Sequence, residues 1–365
     1  MKPLEFFPDA RQAGPISLGW RRLLLVYALA VGMLAGSAYT MYVHFDFSHS
    51  SDTRSYLRMA KGEFRGVRIT HRYRVLVPAV AATVAAPIEL IYARVWPHRA
   101  ASDWPLRLGF YVVNTLVLGG AGVFLFLTCL RCGASPGAAA LAVAAVLSSR
   151  WAVYVAGLPL VDSLYMLVFA LAFYASVSGS TAALVACIVL GPHAKESFLF
   201  LIPWLLVFGR NAGRLPLQLS LLAGSLAVAY GVRYYIDARL GAPPSESVNN
   251  ALAHLENLSY SLRRMFSPKG VGELFSIFGF FSLVLLAGLQ GGRAAWQRWP
   301  RHLTWACAGL VLVVLAHMLL SGDLGRMGYL AAPAFAVAFS RLITYHPWFT
   351  WLGLGNRAYA DAPVA

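Results

Sequence analysis

Charge is what this sequence has least of. Only 12% of its 365 residues are Asp, Glu, Lys or Arg, about half of what a soluble domain carries, which excludes an ordinary water-soluble fold. Acids are scarcer than bases, 15 against 30, for a formal charge of +15. That balance suits anionic headgroups or an anionic ligand, and no stretch resembles a soluble nucleic-acid module. Cysteine is rare too. Cys129, Cys132, Cys187 and Cys307 fall within or beside apolar runs. Cys129 and Cys132 form a CxxC without the second pair or His spacing of a metal site, so all four read as packing residues. There is no soluble domain, low-complexity segment or internal repeat.

What is abundant is apolar sequence: 59% of residues are hydrophobic and mean hydropathy is +0.62. Runs able to cross a hydrocarbon core of roughly 30 Å recur from Leu23 to Leu342, and their continuity favours helices over a barrel. The expected fold is an all-α polytopic bundle of about 10–12 spans. It forms one domain over 1–345, with a cytoplasmic tail at 346–365. "MLAGSA" imitates a cleavage site, but Arg21 and Arg22 abut a full-length run behind a long arm, so the first span reads as an uncleaved anchor.

Lys2, Arg11, Arg21 and Arg22 put the N-terminus in the cytoplasm and the loop 44–74 outside. The segment 75–93 then crosses back, followed by 108–130, 136–149, 151–161, 163–178, 181–192, 197–209, 216–236, 273–290, 303–320 and 327–345. Several of these are too short to cross alone, so 136–209 is expected to enclose a polar cavity. Arg293, Arg298 and Arg301 mark one cytoplasmic loop, and Arg210 with Arg214 another. This places "LPLVDS", "HAKES", the loop 237–272 and "SGDLGRM" outside. Asp162 agrees when counted forward only if 136–161 makes two short crossings, or one re-entrant pair, around Arg150.

The first external loop concentrates chemistry. Residues 45–78 hold seven basic residues, three acids and two histidines. A helix over Asp52–Phe64, capped by Ser50 or Ser51 and ending before Gly66, aligns Arg54, Arg58, Lys61 and Arg65 on one face. Thr53, Leu57, Ala60 and Phe64 form a second face, and Asp52, Tyr56, Met59 and Glu63 a third. Such an interfacial helix dips its apolar face into lipid, sets its basic face on phosphates and turns Asp52 and Tyr56 to the bundle. Seven cations outside oppose the positive-inside bias, which points to an anionic ligand there. His71, Arg72 and Arg74 add donors at the mouth of the next span.

Ionisable groups at membrane depth cost about 2.5–3.5 kcal/mol each. They recur as Asp162, as Lys195 and Glu196 beside His193, and as Asp323 with Arg326. Singly, Lys195–Glu196 and Asp323–Arg326 read equally well as structural ion pairs. Under one topology all of them, with Asp52, reach the outer side.

The motifs "SDTRSYLRMAKG", "YRVLVP", "LPLVDSLYMLVFAL", "AKESFLFLIP" and "GDLGRMGYLAAP", spread over residues 20–345, resemble the GT-C superfamily of polytopic glycosyltransferases. The likeness is to its small bacterial mannosyltransferase-like members. The resemblance implies an inner-membrane enzyme with a periplasmic site, using a polyprenyl-phosphate sugar donor and a hydroxyl on a glycan, lipid or protein acceptor. The essential acid of the first loop maps to Asp52, with Asp46 second. On this resemblance Asp52 is expected to be the general base of an inverting displacement. Arg58, Arg72, Arg74, Lys195 and Arg326 are the candidates to hold the departing phosphate, and Tyr56, His71, Asp162, Glu196 and Asp323 are expected to complete the substrate site. The chain departs from the pattern in lacking a DxD pair and a large C-terminal periplasmic domain.

No cofactor is expected. A Mg or Mn ion held by the acids with His44, His49 and His71 is the alternative. In the loop 237–272 an amphipathic helix with Arg263, Arg264 and Lys269 caps the site or grips lipid, and Asn257 is an acceptor sequon read as unmodified. Two other classes compete: a transporter or flippase for a lipid-linked or anionic solute, and a non-catalytic subunit of a membrane complex.

Overall fold

Lipid satisfies no backbone group, so a chain this apolar has to pair its amides within each segment. Among the described residues it is helical, without a strand. The computed structural model describes residues 19–46, 50–241, 257–288, 305–346 and 348–349. Five segments are long and apolar enough to cross a membrane: Trp20–His44 (α1), Leu76–Val95 (α4), Trp104–Arg131 (α6), Leu215–Leu240 (α12) and Leu324–Tyr345. Two bent pairs add up to two more. Pro136–Leu147 (α7) and Arg150–Gly157 (α8) meet at 62°, and Pro268–Phe278 (α14) and Phe281–Ala287 (α15) at 86°.

Asp162–Ser178 (α9), Thr181–Ala194 (α10) and Trp305–Ser321 (α16) are shorter apolar helices. The expected spans thus resolve into full, broken and short helices of one integral membrane bundle. Around them lie Ser51–Ala60 (α2), Ile69–Arg72 (α3), Pro97–Ala100 (α5), Ile202–Phe208 (α11), a helix through 257–265 (α13), and Leu324–Gly328 (α17) leading into Ala332–Tyr345 (α18). Of the loop expected over 237–272, the first residues continue α12 to Leu240, and 242–256 lie outside the described residues. So do the tail from 350 and the basic run 289–304 with Arg293, Arg298 and Arg301.

The direction of α4 departs from the hydropathy pattern, which sends 75–93 to the cytoplasmic end. Trp104, at the start of α6, packs edge-on against Tyr42 near the end of α1, with ring centroids 5.4 Å apart. Arg107 donates to the Tyr42 carbonyl at 2.7 Å. The two helices run antiparallel, since Tyr111 donates to Ala35 O at 2.9 Å and Tyr27 to Leu116 O at 3.3 Å. Only residues 96–103 join α4 to α6, so α4 delivers the chain to the end that α1 had already reached. Residues 45–103 therefore leave and return to one end of the bundle. Hydropathy reports that a helix suits lipid, but not which way it runs.

A second correction concerns 136–161. Ser135 N bonds the Thr344 hydroxyl at the far end (3.2 Å), whereas Gly157 closes against Ala38 and Met41 near the end of α1. Residues 136–157 thus make one broken crossing, with Ser149 capping α8 by accepting from Ala152 N at 3.2 Å. The central pair is α6 and α9. Buried Asn114 of α6 donates to Leu158 O (2.8 Å) and Leu160 O (3.1 Å) and accepts from Ser163 Oγ (2.6 Å). The amide thereby pins the turn that introduces α9 and sets the place of Asp162. Exposed Trp20 and Trp305 at one end, and Trp96, Tyr234 and Tyr235 at the other, form interfacial aromatic girdles.

Candidate functional site

Four carboxylates begin four helical segments, and all four segments start at the end of the bundle that α1 and α4 reach. Asp52 is in the first turn of α2, Asp162 opens α9, and Glu196 opens the 3-10 turn Glu196–Phe200 after the break that follows α10. Asp323 caps α17, accepting from Arg326 N at 3.0 Å. Carboxylates are favoured at helix starts by the unpaired amides and the dipole there. Here that preference brings them together.

Cations hold them in two adjoining groups, three acids around Arg326 and Glu196 on Arg74. Arg326 Nη1 lies 2.7 Å from Asp52 and 3.6 Å from Asp162, and its Nε lies 2.9 Å from Asp323. Lys195, in extended backbone just after α10, reaches Asp162 at 3.2 Å. Arg74 grips Glu196 through two nitrogens and donates to the Tyr56 hydroxyl at 2.8 Å. His71 Nε2 is 3.5 Å from Asp52. Lys195 and Glu196 therefore do not pair with each other, and the Asp323–Arg326 pair extends to two further acids. Four carboxylates and three cations leave one negative charge in excess.

Electrostatics at the first loop follow from this packing. Burial opposes charge on Asp52, but the charge and hydrogen bond of Arg326, with the neighbouring His71, together hold the carboxyl below the usual carboxylate range. Burial, aided by Arg74 and Arg326, pushes His71 down to about 4 against the pull of Asp52, so its imidazole is neutral at neutral pH.

The α2 helix exists, but it stops at Ala60 rather than Phe64 because Gly62 turns the chain at φ 78°. Ser50 is the cap, accepting from Thr53 N at 3.4 Å. Thr53 and Leu57 are buried within the protein, so the apolar face packs on neighbouring helices instead of dipping into lipid. Asp52 and Tyr56 do face the bundle. Arg58 does not join the network: it is exposed on the opposite side of α2 with Arg54. Arg72 turns to the end of α12, 3.5 Å from Asp237, where Tyr73 donates to the same carboxylate at 2.8 and 2.9 Å. Asp46 is exposed just past α1, and His44, the last residue of that helix, is exposed too. His49 lies outside the described residues. Among the described residues no three His, Cys, Asp or Glu side chains converge as metal ligands.

Arg264 pairs with Glu273 and donates to Tyr260 (2.8 Å), which ties it to α14 rather than to the network. Asn257 donates its amide to Leu320 O at 3.3 Å. The four cysteines are free thiols, three of them buried.

A trio behind Lys195, with Tyr165 and His317 buried, has no counterpart in the sequence pattern. The Tyr165 hydroxyl is 2.6 Å from His317 Nε2, Ser197 Oγ donates to Tyr165 at 3.3 Å, and His317 Nε2 lies 3.0 Å from Ser197 O. It clamps the broken segment that carries Lys195 and Glu196. A lone His within an apolar run offers nothing by which to single it out. Against protein-family models, curated proteins and solved structures, the chain has no match.

Proposed function

We propose that the chain is a membrane glycosyltransferase moving a sugar from a polyprenyl-phosphate donor to an acceptor hydroxyl, with inversion, at a site facing the periplasm across a bacterial inner membrane. The observation that carries this reading is the convergence of Asp52, Arg74, Asp162, Lys195, Glu196 and Arg326 from separate segments at one end of a lipid-embedded bundle. Ionisable groups are costly at such depth and persist where they serve a pathway or a reaction.

In this reading the acceptor oxygen attacks the anomeric carbon as the bond from that carbon to the phosphate oxygen breaks. The leaving phosphate keeps the electron pair and is held by charge-assisted hydrogen bonds from Arg326 and Lys195. Asp52 takes the hydroxyl proton. Asp162 and Glu196 hold Lys195 and Arg74 in place. A site at the end of the bundle leaves the donor's lipid tail in the bilayer.

The reading is tested by incubating the purified protein with labelled polyprenyl-phosphate hexoses and pentoses and a membrane extract. Transfer of label to an acceptor, abolished in Asp52→Asn, is expected. Absence of transfer from every such donor overturns the reading. The two bent helix pairs also suit a transporter, for which flux of a lipid-linked or anionic solute into vesicles would persist without any sugar transfer.

A further inference from the structure

Arg326 is surrounded by more negative charge than it can neutralise. Three carboxylates lie within 3.6 Å of one guanidinium, and the network already carries one excess negative charge. A further anion cannot settle there unless a carboxylate gives way.

The three are not equally replaceable. Asp323 is fixed by capping α17 and by its neighbouring position in the chain. Asp162 is deeply buried, with a side chain 7% exposed, and is held by Lys195. Asp52 comes from the first loop, is 20% exposed, and among the described residues is held by Arg326, His71 and the adjacent Ser51 hydroxyl. Beside it, His71 is 9% exposed at the side chain, and its Nδ1 is buried without a hydrogen-bond partner among the described residues. An unpaired buried nitrogen there is costly unless a ligand atom meets it.

We propose that Asp52 and the phosphate of a lipid phosphate ester compete for the same seat on Arg326, so that the ester frees Asp52 as it binds. The inference rests on the glycosyltransferase reading and adds a control to it. With Arg326 engaged, Asp52 is a weak base; with Arg326 transferred to the phosphate, the carboxylate loses its counter-ion and becomes a stronger one. Proton abstraction is thereby confined to the donor-loaded site, and His71 Nδ1 meets the incoming phosphate.

The competition has an unusual sign. Neutralising a residue of the site should tighten the binding of the ester. The probe is farnesyl phosphate, titrated calorimetrically into the purified full-length protein in detergent, with farnesol and inorganic phosphate as parallel arms. Asp52→Asn and Asp52→Ala should each bind farnesyl phosphate about tenfold more tightly than the unaltered chain. Glu63→Gln, which removes an exposed acid of the same loop, should leave the affinity unchanged. Two Asp52 variants guard against one misfolding, and thermal unfolding verifies both.

Equal or weaker binding by the Asp52 variants, with the unaltered chain binding farnesyl phosphate well, overturns the competition and leaves the donor class standing. Equal tightening for farnesol also overturns it, since farnesol carries no phosphate. Tightening for inorganic phosphate alone supports the shared seat and overturns the lipid donor. Absence of binding to any form of the protein overturns both.

Discussion

Lys61 Nζ lies 2.6 Å from Asp103 Oδ1, joining the end of α2 to the residue before α6. Both side chains are nearly half exposed, so the pair contributes less than about 1 kcal/mol. Its value is as a locator, because the two residues flank α4 and lie at the same end. Cysteines introduced at Lys61 and Arg99 should therefore react with an impermeant maleimide from one side of sealed vesicles, and those at Arg21 and Arg214 from the other. Background is low, since Cys129, Cys187 and Cys307 are buried and Cys132 can be changed to Ser. Labelling of position 99 together with 214 would restore the order that hydropathy predicts.

The Arg74 to Glu196 pair ties the loop before α4 to the break after α10. Arg74→Ala strands Glu196 and removes the donor to Tyr56. A fully buried pair costs about 3–5 kcal/mol when one partner is left uncompensated, and with the Glu196 side chain 32% exposed the loss here is smaller. Arg74→Ala combined with Glu196→Gln should lose less than the two single changes together, because the second removes the orphaned charge. Thermal unfolding in detergent reads the difference, and strict additivity would show that the pair carries no coupling.

His71 makes acid destabilising. Its folded pKa, about 4, lies below the ordinary histidine value of about 6.5. Between these values the unfolded chain binds the proton that the folded site refuses, so stability rises with pH across the window. The contribution is complete above about pH 6.5 and lost as pH falls to about 4. Asp52, also depressed, adds a loss in the same direction at still lower pH. The melting temperature should fall from pH 6.5 to 4, and His71→Gln should flatten that fall. A parallel slope in both proteins would assign the dependence elsewhere.

The site was partly legible in the sequence for a physical reason. Asp162, Glu196 and Asp323 interrupt or border apolar runs, where charge is expensive enough to stand out, and Asp52 lies in a loop whose density of charge is itself conspicuous. Their partners were not legible, because Arg74 meets Glu196 and Arg326 meets Asp52 only through the folded bundle. Arg58 and Arg72 carry the same charge as Arg74 and Arg326. Only the rotation of α2 and the approach of Asp237 separate them from the network. The direction of α4 was hidden for another reason: the constraint lies in the short connection 96–103 and in Tyr42 meeting Trp104, not in the hydropathy of the helix itself.

His317 tests how much the network depends on what stands behind it. The imidazole reaches Tyr165 and the Ser197 carbonyl from α16, while Lys195 extends over the Tyr165 ring at 5.8 Å. His317→Phe keeps an aromatic in the buried site but leaves the Tyr165 hydroxyl without its imidazole partner, at a cost of about 1–3 kcal/mol. His317→Gln retains a side-chain hydrogen-bonding group and should recover part of the loss. The backbone from Lys195 to Leu201 should also open more readily in His317→Phe, because the clamp on the break after α10 is gone. Hydrogen exchange over 195–201, compared between the variants and the unaltered chain, reads that opening. Equal protection in both variants would mean that the break is held by Lys195 and Glu196 alone, with the ion network setting the shape of the segment rather than resting on it.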